Sequence, residues 1–163
     1  MNQSHQFSFD ARRFRDALGD FATGVAVVTA RTADGQPVGV TINSFASVSL
    51  EPPLVLWNLG LHSPSLATFE ACSHYAVNVL AADQIKFSQR FAQSQSDKFA
   101  GLAMTVGAGG TPLLPGCSAW FECRNDLRYP GGDHLIFVGY VEGFRREEKS
   151  PLIFHGGRYR SLA

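Results

Sequence analysis

Lysine is scarce in this chain of 163 residues, and the formal net charge is zero. Nucleic acid is held through clustered Lys and Arg, so no electrostatic footprint for it exists here. No apolar run approaches the ~20 residues needed to span a bilayer, and no membrane partner is expected. The opening residues Met1-Asn2-Gln3-Ser4-His5 show no apolar core of a secretory signal. Three cysteines, Cys72, Cys117 and Cys123, are an odd number without C-x-x-C spacing. Reduced thiols in a cytoplasmic protein are the simplest account. The histidines at 5, 62, 74, 134 and 155 lack H-x-x-x-H or H-E-x-x-H spacing, so no metal site is expected. There is no G-x-S-x-G elbow, and no G-x-G-x-x-G stands between a strand and a helix. Nothing demands acid–base or nucleophilic catalysis; the chemistry would belong to a cofactor.

What is present is a chain 45% hydrophobic and 17% charged, long enough for one domain spanning 1–163 with a substantial core. Its organising stretch runs from Val38 to Leu59. Alternate residues of a strand face opposite ways. Even positions Val38, Val40, Ile42, Ala46, Val48 and Leu50 are apolar, with Ser44 the exception. Odd positions Gly39, Thr41, Asn43, Ser47 and Ser49 are small and polar, with Phe45 among them. Such alternation is what a half-buried strand with a solvated face shows. A solvated face usually carries charge, however, and none stands between Val38 and Leu50. An uncharged, hydroxyl-rich face suits an oxygen-rich ligand. Pro52-Pro53 interrupts the ladder, and Leu54–Trp57 resumes as a buried strand.

Around this stretch, Asp10 reads as the N-cap of a helix with Phe14, Leu18 and Phe21 on one face, stopped at Gly24. Val25–Thr29 is a strand, and Asp34-Gly35 marks a hairpin turn. Residues 58–62 read as a loop, and Ser63-Pro64-Ser65 as the start of a helix running to Ala71. Tyr75–Leu80 is a strand. Asp83 caps a helix through Phe91, with Ile85, Phe87 and Phe91 toward the core. Residues 93–110 carry weak structure. Strands follow at Cys117–Asp126 and His134–Gly143, joined by a loop over 128–133, and the last begins at Pro151. Cys117 and Cys123 share parity, which points to packing. Many short strands with a few short helices predict a mostly β fold, an antiparallel barrel.

Two features bear on a ligand. Ser63 and Ser65 at a helix start, with Arg90 on a later helix, could meet a phosphate; ordinary capping and a surface arginine account for them equally. Gly131-Gly132-Asp133-His134 is first a turn entering a strand, yet its imidazole could hydrogen-bond a carboxamide or phosphate.

The set Phe21-Ala22-Thr23-Gly24-Val25, Ser44 through Val55, Asn78-Val79-Leu80, Arg90-Phe91-Ala92, Asp97 through Gly101, Gly132-Asp133-His134 and Pro151 through Tyr159 resembles the short-chain flavin reductases. These are the reductase components of two-component flavin-dependent monooxygenases. The resemblance implies an FMN-binding split β-barrel, usually a homodimer, in which NADH or NADPH gives hydride to FMN or FAD N5. Reduced flavin then reaches a separate oxygenase. By position it implies that Gly39, Val40, Thr41, Asn43 and Ser44 meet the ring and ribityl chain. Asn58, Leu59, Ser63 and Ser65 would line the ribityl-phosphate side, and Arg90 with Phe91 the phosphate end. His134 would position the nicotinamide, with no catalytic acid or base, and Phe154, His155 and Tyr159 would lie nearby. A flavin-binding electron carrier, or a split-barrel reductase of ferric chelates or corrinoids, needs the same flavin face.

Overall fold

The structure, a computed structural model, describes residues 9–94 and 97–162. The segment Met1–His5 lies outside them. Helix α1 (Ala11–Gly19) opens the chain, and the Asp10 carboxylate caps it by accepting the N–H groups of Arg12 and Arg13. Then come β1 (Thr23–Gly24), β2 (Ala26–Arg31), β3 (Pro37–Ile42), β4 (Ala46–Leu50) and β5 (Pro53–Gly60). Helix α2 (Leu66–Ala71), β6 (His74–Val79) and α3 (Ile85–Ala92) form the middle. The remainder is β7 (Thr105–Val106), β8 (Pro112–Leu113), β9 (Ala119–Gly131), β10 (His134–Arg146), β11 (Ile153–His155) and β12 (Arg158–Arg160).

Seven strands make one antiparallel sheet in the order β3-β2-β6-β9-β10-β5-β4. It curls until its ends approach, and the chain itself links the two edge strands through residues 43–45. The barrel is therefore open along a seam between β3 and β5. The Ser44 hydroxyl crosses that seam, accepting the Asn58 backbone N–H at 2.9 Å.

Strand β2 is buried on both faces, so both its parities are apolar. Ala26, Val28 and Ala30 pack inside the barrel with Trp57, Phe69, Tyr75 and Phe137. Trp57 stacks on Phe137 with centroids 4.6 Å apart. Val25 and Val27 face a second core, where α3 and the segment around Leu114 cover the sheet with Phe91, Phe99 and Trp120. Asn78 joins these layers: its amide donates to Val27 O and Thr29 Oγ1 and accepts from Leu114 N–H at 2.8 Å. Its polar atoms are satisfied by the fold.

Several local expectations are corrected. The parity of the organising stretch holds only to Ile42, because the chain bends at Asn43–Phe45 and β4 bulges between Ser47 and Ser49. Val48 and Leu50 thereby reach the surface, Leu50 at 95% exposure. Residues 58–60, read as loop, extend β5, because β10 pairs with them as far as His134 opposite Gly60. The loop expected over 128–133 is a continuation of the β9–β10 hairpin with a tight turn at Gly132-Asp133. Helix α2 starts at Leu66, with no side-chain cap from Ser65. Gln84, not Asp83, precedes α3; its amide accepts Ala81 N–H and donates to Pro115 O. Gly24, expected to end the first helix, pairs with Ile153 in a small sheet of β1, β11 and β12. Phe14 and Leu18 on α1, and Phe21 just beyond it, remain at least half exposed, with only Phe9 against Phe14 among the described aromatic contacts there.

Candidate active site

The bend after β3 places Asn43 where three clefts meet. The first, of about 410 Å³, lies over the seam and is lined by Thr41, Asn43, Ser44, Asn58, Leu59, Gly60 and His134. Its floor is the outer face of β5 and β10, since Asn58 and Gly60 share parity and stand opposite Ile136 and His134. The second, of about 240 Å³, lies beside the C-terminal hairpin, with Thr41, Ser88, Phe154 and Tyr159. The third, of about 770 Å³, runs under α1 past Arg15, Phe21, Thr23 and Phe154.

Glycine at 60 leaves the space before the imidazole free: a methyl group there would stand 3.8 Å from His134 Nε2. His134 Nδ1 lies 2.7 Å from Asp133 Oδ1. That hydrogen bond and the imidazole's charge hold the Asp133 carboxyl below the usual carboxylate range. Nδ1 is thus tied at the turn, and Nε2 faces the cleft. The Tyr159 hydroxyl is 2.8 Å from Ser88 Oγ, and Thr41 Oγ1 donates to Ser88 O at 2.7 Å. These bonds fasten α3 to both β3 and the C-terminal hairpin.

A fourth cleft, of about 290 Å³, lies at the other end of β3, with Gly39, Pro64, Ser65, Ser94 and Lys98 among its walls. Lys98 Nζ donates to Gly39 O at 3.2 Å and Phe91 O at 3.1 Å. Burial lowers its pKa. An ammonium has three donors, and among the described residues no carboxylate pairs with this one. It is a cation suited to an anion beside two serines.

The fold brings together Thr41, Asn43, Ser44, Asn58, Leu59 and His134 from the sequence reading. Phe154 and Tyr159 adjoin them, while Gly39 and Ser65 stand in the Lys98 cleft. Others lie elsewhere. Val40 packs toward the barrel interior. The Phe91 ring is fully buried, and it explains Gly39: a Cβ at 39 would come within 2.7 Å of that ring. Small size there admits a core aromatic beside the cleft wall. Arg90 donates to Ala100 O at 2.7 Å, Ser63 Oγ accepts Ser65 N–H, and His155 pairs with Arg158 in the hairpin; none of the three lines these clefts. Lys98 and Ser88 were missed as site residues.

Burial pushes Cys117 and Cys123 up to about 12. Both are core thiols. Among the described residues no three His, Cys, Asp or Glu are grouped to hold a metal, and no helix is long and apolar enough to cross a membrane.

An open antiparallel barrel with an uncharged groove on its seam, and beyond it a cation with no carboxylate partner among the described residues, suits the binding of a cofactor. Residues 18–163 match the family described as flavin reductase like domain, and the chain belongs to that family. It is 45% identical over 150 residues to FMN reductase (NADH) SmoA of Agrobacterium fabrum, covering 92% of this chain and 85% of that one. It is 41% identical over 156 residues to HsaB of Rhodococcus jostii, the reductase subunit of a flavin-dependent monooxygenase, covering 95% and 80%. The solved NADH:FAD oxidoreductase SgcE6 of Streptomyces globisporus C-1027, in complex with NAD and FAD fragments, superposes with a TM-score of 0.90 at 40% identity, over 94% of this chain and 93% of that one.

Proposed function

We propose that this chain is an NAD(P)H:flavin oxidoreductase, transferring hydride from NADH or NADPH to FMN or FAD and supplying reduced flavin to a separate monooxygenase. The observation that carries this reading is the groove at Asn43: uncharged polar groups on a glycine-floored face, with His134 at one end. The residues fit a flavin. Two buried side-chain oxygens bordering the groove, Asn58 Oδ1 and Thr23 Oγ1, have no partner among the described residues. Lys98, beside Ser65, suits a phosphate.

When bound, the flavin supplies the hydride acceptor; the chain binds, orients and excludes water. Thr41, Ser44 and Asn58 hold the seam side of the ligand. Lys98 and Ser65 hold the phosphate. His134, with Nδ1 fixed by Asp133, presents Nε2 to the nicotinamide nucleotide and orients it. Holding both reactants in one geometry is the main catalytic contribution available to such a site.

The protein acts as a single domain and as a cytoplasmic homodimer. The apolar stripe Phe14, Leu18 and Phe21, flanked by Phe9 at 74% exposure, supports a second copy as its cover. Rapid mixing of the protein with NADH, then NADPH, with and without FMN or FAD, tests the function. Nicotinamide oxidation that saturates in added flavin is the expected result. A bound flavin that bleaches once, with no response to added flavin, replaces the reductase with an electron carrier.

A further inference from the structure

Ser88 stands in the middle of α3 and is 2% exposed. Alanine serves a helix interior better, and a serine there often turns its hydroxyl onto the carbonyl four residues back. This one does not. Among the described residues its Oγ meets one partner, the Tyr159 hydroxyl at 2.8 Å. The same turn of helix is pinned a second time, where the Ser88 carbonyl accepts Thr41 Oγ1 at 2.7 Å. Tyr159 is half-buried on β12, and its ring meets the edge of Phe154 with centroids 5.5 Å apart.

Two hydroxyls joined by one hydrogen bond leave one O–H uncommitted. Burial decides which. If Tyr159 donated, the Ser88 proton would be buried without a described acceptor, and an unmade bond there is destabilising. If Ser88 donates, the free proton is that of Tyr159, which borders the cleft shared with Thr41, Asn43 and Phe154.

We propose that Ser88 is a positioning residue: by donating to Tyr159 Oη it turns the phenolic O–H into the cleft, as a fixed donor to an acceptor oxygen of the nicotinamide nucleotide. This rests on the flavin reductase reading. Phe154 fixes the ring and Ser88 fixes the proton. A hydroxyl held in this way is ordered before the ligand arrives, so less freedom is lost on binding.

The test uses the purified full chain with Ser88→Ala, Tyr159→Phe and the double variant. Three readouts are taken: the melting midpoint without ligand, FMN affinity by quenching of flavin fluorescence, and kcat/KM for NADH at saturating FMN. Ser88→Ala is expected to melt within about two degrees of wild type, because alanine suits the helix. It should hold FMN within twofold and lose about three- to tenfold in kcat/KM, the worth of one neutral hydrogen bond. Tyr159→Phe should lose at least as much, and the double variant no more than Tyr159→Phe alone, because the serine acts only through that hydroxyl. Losses that multiply in the double variant overturn the proposal, since Ser88 then acts without Tyr159. So does a kcat/KM within twofold of wild type in Ser88→Ala, or an FMN loss as large as the NADH loss. A midpoint several degrees lower also overturns it, since the bond then serves as a brace of the fold. If the wild-type chain oxidises neither NADH nor NADPH with flavin present, the reductase reading falls first and this assignment with it.

Discussion

Ser44 Oγ accepts the backbone N–H of Asn58 across the barrel seam, and the same hydroxyl lies 3.4 Å from Asn58 O. One side chain thus substitutes for a missing strand pair where β3 turns away from β5. Ser44→Ala leaves that N–H without a partner at a partly buried place. Stability should fall by about 1–3 kcal/mol, read as a lower urea midpoint with an unchanged slope. Ser44→Thr, which keeps the hydroxyl, should recover most of it.

Gly39 and Phe91 form a second such pair. A methyl group at 39 would meet the Phe91 ring at 2.7 Å and Phe99 at 3.1 Å. Gly39→Ala should therefore destabilise by about 1–3 kcal/mol through overpacking. Trimming the ring in the double variant Gly39→Ala/Phe91→Leu should cost less than the two single changes added together. Thermal melts of the four proteins measure that coupling, and strict additivity would show that the two positions do not meet.

The fold was legible in the sequence where local chemistry and tertiary demand agree. Asp10 caps its helix, Asp34-Gly35 turns its hairpin, and the β-branched run after Val25 is strand β2, because each follows from short-range preferences. The candidate site was legible in part. Thr41 and Asn43 stood out through the absence of charge on their face, and Ser44 through the family resemblance. Gly39 carried the same signal for another reason, the Phe91 ring, which arrives from 52 residues away and leaves no local mark. Strand parity failed after Ile42 because a bend resets the alternation, and no single residue there announces it. Lys98 escaped because its meaning lies in what it lacks, a carboxylate partner, and that is visible only in three dimensions.

Asp133 and His134 make a prediction about acidity. The carboxyl pKa is depressed in the folded chain, so the carboxylate beside His134 Nδ1 is present above the ordinary carboxylate pKa and is lost as pH falls through the depressed one. Because Asp133 is fully exposed, fold stability should barely respond. Orientation of the imidazole should. Asp133→Asn and His134→Ala are each expected to raise KM for NADH several-fold while FMN affinity stays within twofold. An unchanged KM in His134→Ala would remove His134 from the nicotinamide site.

Lys98 separates the phosphate from the ring. Its ammonium is tied to two carbonyls on one side and faces Ser65 and Ser94 across the cleft, with no described carboxylate to balance it. A phosphate there gains a charge-assisted contact in a partly dry setting, typically ~1.5–3 kcal/mol, or about tenfold to a hundredfold in affinity. Lys98→Met keeps the stem and removes the charge. It should weaken FMN by at least tenfold and leave riboflavin, which has the same ring and ribityl chain but no phosphate, within twofold of wild type. Parallel fluorescence titrations with the two flavins read the difference directly. Equal losses for both would mean that Lys98 braces β3 and α3 through its two carbonyl contacts, and that the anion is bound elsewhere in the groove.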